Sequence, residues 1–178
     1  ICRTAPQGPT YVCLDAGIQE LPLEADTVLP DPARYQPGPL PEPGADTLAD
    51  LTNMLMAAER PLFLMGRVSR NQEDWDRRIR LAEALGARVL TDLRVGAAFP
   101  TNHPLHGPPP LSHFPAESKA MIRRADVIVA FDCIDLGGAI NLIELEGPVT
   151  GKIINCSVDS YSHNGWSKDH QVLPAVDL

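Results

Sequence analysis

Three features of these 178 residues predict a three-layer α/β fold, a parallel sheet wound on both faces by helices. Apolar runs such as Val127–Phe131 (VIVAF) are continuous rather than alternating, as in strands buried on both faces. Stretches with helical spacing separate those runs, and Gly, Pro and Asn mark the changeovers. Strand and helix alternate at least three times between Leu62 and Cys156, which implies βαβ units with right-handed crossovers.

Taken in order, Thr10–Asp15 (TYVCLD) is rich in β-formers and reads as a strand whose partners lie outside the sequence. Residues 21–45 carry a dense set of prolines, which removes backbone donors and favours an extended connector between domains. Asp46 and Thr47 offer cap oxygens to a helix with Leu48, Leu51, Leu55 and Ala58 on one face. Leu62–Met65 is a buried strand ended by Gly66. Asn71 caps a second helix whose inward stripe is Trp75, Ile79 and Ala82, widened by Leu81 and Leu85 and stopped at Gly86. Arg88–Thr91 is the next strand, followed by a loop over residues 96–115 rich in Pro and His. Pro115 suits the first helical position of a helix reaching about Arg124. After Val127–Phe131 come a helix over 138–143, a strand over Lys152–Cys156, and a weakly patterned tail with a short strand near Val172.

Composition narrows the function classes. Hydrophobic residues are 44% of the chain, the share a packed interior needs. A net charge of −8 argues against a nucleic-acid or anionic-membrane surface. The apolar runs fall well short of the ~20 residues that span a bilayer. Cys2, Cys13, Cys133 and Cys156 are far apart with no CxxC, which favours reduced thiols in a cytoplasmic domain over a disulfide frame. The N-terminus lacks a basic end followed by an apolar stretch, so it does not read as a signal peptide. Because it begins at Ile1 in a strand-like run, the chain reads as a piece of a longer protein.

Five phrases then fall in the order found in one family. GPTYVCLDAGIQE resembles the end of the pyrimidine-binding domain of thiamine-diphosphate enzymes such as acetolactate synthase and benzoylformate decarboxylase. AAERPLFLMGRVSR, LAEALGARVLTDLRVGAAFPTNHPLHG, RRADVIVAFDCIDLGG and GKIINCSVDS resemble successive strands and turns of that family's Rossmann-like central domain. The resemblance implies a remnant of the pyrimidine domain over 1–20, a linker over 21–45 and the central domain over 46–178. It also implies a homo-oligomeric parent, dimer or tetramer, that acts on 2-oxoacids as a decarboxylase or acetolactate-type synthase. Its thiamine diphosphate and Mg²⁺ would be held by the parent's pyrimidine and pyrophosphate domains. This sequence has neither the GDG…NN metal motif nor the pyrimidine-site Glu, so the piece is expected to be inactive alone.

In such a sheet a nucleotide lies at the carboxyl ends of the strands. The candidate residues there are Gly66, Arg67, Ser69 and Arg70, then Thr91 and Asp92, then Asp132, and finally Asp159. Arg67 and Arg70 suit phosphate, Ser69 can donate a hydrogen bond, and Asp159 suits a ribose hydroxyl. The resemblance implies FAD or ADP in some members and nothing in many. There is no GxGxxG. Asp132 stands where the family tends to carry Gly, and a carboxylate repels a pyrophosphate unless it is paired.

Other constellations read as structure. His103, His106 and His113 share one loop poor in further ligands, and zinc wants three or four with firm support. Ser69, Ser112 and Ser118 lack a GxSxG context. His163, His170 and Trp166 read as surface or domain-contact residues, and no metal ligand set or catalytic residue is assigned. The alternative is a stand-alone nucleotide-binding or regulatory module on the same sheet. An NAD-dependent deacetylase-like domain would need a Gly-rich first turn and paired cysteines, which are absent.

Overall fold

Alternate residues of each inner strand face opposite layers, and here both layers are apolar. The computed structural model describes residues 2–4, 7–111, 113–159 and 175–178. Its sheet is parallel, with β1 (Pro61–Met65), β2 (Arg88–Thr91), β3 (Val127–Phe131) and β4 (Lys152–Cys156) in the order β2-β1-β3-β4. The register pairs Phe63 with Val89 on one side and with Val129 on the other. Phe63, Met65, Val89, Val129 and Ile154 face α2 (Ala45–Ala57) and α3 (Gln72–Leu85) through Leu55 and Ala82. Leu62, Leu64, Leu90, Ile128 and Ile153 face α4 (Ala116–Arg124) and α5 (Leu136–Glu144) through Ile122, Ile140 and Ile143. This is the doubly wound arrangement expected. The step from β1 to β2 runs one way and the step from β2 to β3 runs back past β1. Right-handed crossovers in opposite directions put their helices on opposite faces. That reversal leaves a crevice at the carboxyl ends of β1 and β3.

The chain divides into residues 1–42 and 43–178. In the first unit, Asp15 caps the short helix α1 (Ala16–Glu20), its carboxylate accepting from Ile18 N at 3.2 Å. Thr10–Asp15 forms no strand among the described residues, and Tyr11 is 91% exposed. β-propensity cannot make a strand without a neighbour to take its N–H and C=O groups. The proline-rich stretch holds one 3₁₀ turn, Pro32–Tyr35.

In the second unit several expected boundaries move. Gly44 rather than Asp46 or Thr47 precedes α2, and Leu48 is exposed. Pro115 sits just before α4 instead of inside it. α5 begins two residues early, because Asp135 caps it by accepting from Gly138 N at 3.0 Å. Asn71 caps α3 as expected, accepting from Asp74 N at 2.8 Å, and Gly86 ends it in the left-handed region. The inward stripe of α3 contains Arg78, while Leu81 is turned outward. Arg78 Nε donates to the Ala98 carbonyl at 3.0 Å and so anchors the loop after β2.

Both sheet margins are occupied. Beside β2, Val89 N donates to Leu105 O at 3.0 Å and Gly107 N to Val89 O at 2.8 Å. Alongside β4, Asp177 N donates to Ile153 O at 2.7 Å and Asn155 N to Leu178 O at 2.9 Å. The strand expected near Val172 lies outside the described residues, as do His163, Trp166 and His170. Among the described residues no helix is long and apolar enough to cross a membrane.

At the amino ends of the strands, Asp126 ties the turn before β1 to the start of β3. Its carboxylate accepts from Glu59 N at 2.7 Å and from Arg60 N at 3.0 Å. Burial opposes its ionisation, but those N–H groups outweigh burial and hold the carboxyl below its ordinary pKa. Asp126→Ala is expected to cost about 1.5–3 kcal/mol at neutral pH in urea unfolding, the range for bonds to a charged group. A depressed folded pKa stabilises above the unfolded value of about 3.9 and ceases to as pH falls through the folded value. The gap between wild type and variant should therefore narrow in acid; a gap independent of pH would reject this account.

Candidate functional site

The crevice at the strand ends is built on a close backbone approach. Gly66 N donates to Phe131 O at 2.8 Å and Arg67 N to Asp132 O at 3.0 Å, so the β1–β3 ladder continues past both strands. A Cβ on Gly66 would lie 2.1 Å from the Asp132 carbonyl oxygen, which only glycine avoids. Asp132 itself has φ 49°, uncommon for a residue with a side chain, and this turn aims its carboxylate across the crevice at Arg67.

Arg67 is the hub. Its Nη2 donates to Asp132 Oδ1 at 3.1 Å and to Asp159 Oδ2 at 3.2 Å. Its Nε lies 2.9 Å from Asp132 Oδ2, within ion-pair range but off-axis for a hydrogen bond. Ser157 Oγ donates to Asp132 Oδ1 and accepts from Asp159 N at 3.0 Å. Burial works against the Arg67 charge, but Asp132 and then Asp159 outweigh it and raise the guanidinium pKa. Among the described residues, one guanidinium against two carboxylates leaves this cluster at a formal charge of −1.

The other expected site residues stand apart from this cluster. Ser69 accepts from Asn71 Nδ2 at 2.8 Å and so braces the start of α3, while Arg70 is exposed. Buried Thr91 pairs its hydroxyl with His106 Nε2 at 3.0 Å. The other ring nitrogen of His106 lies 2.8 Å from Gly107 O, so this histidine fixes the loop beside β2. Asp92 accepts from Arg94 N at 2.8 Å and from its Nη2 at 2.7 Å. Burial opposes ionisation of Asp92, and the Arg94 donors overcome it to lower the pKa. Gly66, Arg67, Asp132 and Asp159 are therefore brought together, whereas Ser69, Arg70, Thr91 and Asp92 are not.

A second feature, absent from the sequence reading, lies on the α4–α5 side. A cavity of about 380 Å³ is walled by Leu64, Leu90, Phe114, Leu136 and Ile143, with Arg94 and Lys119 also on its lining. Its parts come from four separated stretches of chain, so no local motif announces it. Cys133 also lines it; burial pushes its thiol up to about 12, leaving a neutral wall.

A family model described as "Thiamine pyrophosphate enzyme, central domain" matches residues 48–162, well over half of the chain. The chain belongs to this family. Over 75 residues it is 39% identical to the 2-succinyl-5-enolpyruvyl-6-hydroxy-3-cyclohexene-1-carboxylate synthase of Chlorobaculum tepidum, covering 42% of this chain and 13% of that enzyme. A solved structure of a candidate thiamin diphosphate-dependent enzyme from Mycobacterium smegmatis is similar over 51% of this chain and 17% of that one, at 30% identity and a TM-score of 0.43. This central domain thus spans less than a fifth of the length of either relative. Among its described residues no three His, Cys, Asp or Glu side chains gather as a metal site, and the crevice cluster is net negative. Among the described residues, this crevice does not fit thiamine diphosphate with Mg²⁺.

Proposed function

We propose that this central domain is a non-catalytic spacer in a longer thiamine-diphosphate enzyme acting on 2-oxoacids. The observation that carries the spacer reading is the Arg67–Asp132–Asp159 cluster, which occupies the crevice where a nucleotide would otherwise lie. A pyrophosphate entering there would meet two carboxylates whose counter-charge is already engaged. In this reading residues 1–20 are the end of a pyrimidine-binding domain and 21–45 the connector. The parent's pyrimidine and pyrophosphate domains hold thiamine diphosphate and Mg²⁺, and the parent is a cytoplasmic homo-oligomer. Exposed apolar side chains such as Met56 and Leu145 support a surface covered in that assembly.

Thermal unfolding with millimolar FAD or ADP tests the nucleotide half of this reading. The expected result is an unchanged Tm; a rise of several degrees would revive Gly66, Arg67, Ser69, Arg70, Thr91, Asp92, Asp132 and Asp159 as a nucleotide site. Arg67→Ala should lower stability by about 1–3 kcal/mol, since it removes the guanidinium from two partly buried carboxylates. Decarboxylation of 2-oxoacids by the full-length parent, but not by this chain, is the expected activity result. Turnover by the chain alone would end the spacer reading.

A further inference from the structure

The cavity between α4 and α5 is distinct from the ion cluster and is not explained by a spacer role. Its volume of about 380 Å³ falls in the range of pockets that hold small organic ligands. It is lined by Leu64 of β1, Leu90 of β2, Leu136 and Ile143 of α5, and Phe114 just before α4. Leu111, also on the lining, is 57% exposed, an apolar side chain standing in water where a bound molecule would cover it.

The charged groups on the lining favour one sign of ligand. The carboxylates of Asp92 and Asp135 already accept from Arg94 and from Gly138 N at the amino end of α5. Lys119 differs: its partner is Glu146, whose side chain is 46% exposed. An ion pair so open to water is worth about 0–1 kcal/mol, so a ligand anion can replace Glu146 at small cost.

We propose that this cavity binds a small apolar monocarboxylate, its body against Leu64, Leu90 and Ile143 and its carboxylate on Lys119. Binding needs nothing from the parent's chemistry. The test is calorimetric titration of the 178-residue chain with octanoate, octanol and octylamine, which share one apolar body and differ in charge. Octanoate should bind about tenfold more tightly than octanol, the worth of one charge-assisted hydrogen bond, and octylamine most weakly. Lys119→Gln should erase the preference for octanoate over octanol. Ala139→Phe, which fills the cavity from α5, should abolish binding of both. Should Ala139→Phe fail to fold, the Lys119→Gln comparison still decides. Equal affinity for all three probes, no saturable binding, or an unchanged preference in Lys119→Gln would overturn the proposal.

Discussion

Gly66→Ala is expected to destabilise the chain by about 3 kcal/mol or more, because the added methyl meets backbone. A Cβ there would stand 2.1 Å from the Asp132 carbonyl oxygen and 2.7 Å from Cys133 Cα. Neither atom belongs to a flexible side chain that can swing away. Relief requires β1 and β3 to part where Gly66 N bonds Phe131 O, which would also pull Arg67 from its carboxylates. Urea unfolding of the variant beside Gly96→Ala separates this from any general glycine effect. A Cβ at Gly96 meets nothing within 4 Å, and its cost should stay within about 0.5 kcal/mol. Similar losses for the two variants would mean the close approach is not a constraint.

Phe63→Ala should cost about 3–5 kcal/mol, the range for emptying a fully buried aromatic site. Phe63 is 0% exposed at the middle of β1, an inner strand paired with neighbours on both sides. Its ring meets Phe131 edge-on at 5.3 Å and 85°, a contact that adds to the area it buries. Phe63→Leu keeps much of the volume and should lose about half as much or less. The readout is the urea midpoint at unchanged slope. A midpoint hardly moved by Phe63→Ala would show that the α2–α3 layer tolerates a void, contrary to the packing described here.

Those two positions also show what the amino-acid pattern could and could not announce. β1 and β3 were legible because burial on both faces demands unbroken apolar runs, and PLFLM and VIVAF are such runs. α3 was legible from its ends, Asn71 and Gly86, whose side-chain oxygen and positive φ do local work. Arg78 on the buried stripe was not, since its partners are loop carbonyls twenty residues away. Asp132 was singled out as an anomaly, but the partner that resolves it, Arg67, lies 65 residues earlier and is found only once the strands pair. Asp135, which no sequence pattern singled out as a cap, proves to cap α5. The cavity could not be foreseen, because Leu64, Leu90, Lys119 and Ile143 meet only through the order of the sheet. Thr10–Asp15 shows the converse: β-rich composition suggested a strand, and without a paired neighbour none forms there.

The loop at Leu105–Gly107 and the residues at Asp177–Leu178 have a consequence for how this chain behaves at high concentration. A bare outer strand is adhesive, since its unspent amide and carbonyl groups accept any extended peptide that drifts by. Here the outward groups of Val89 and those of Ile153 and Asn155 are already taken from within the molecule. Growth of the sheet from one molecule into the next would first have to strip away these fringes. The domain is thereby shielded from fibril-like stacking at the two margins of its sheet.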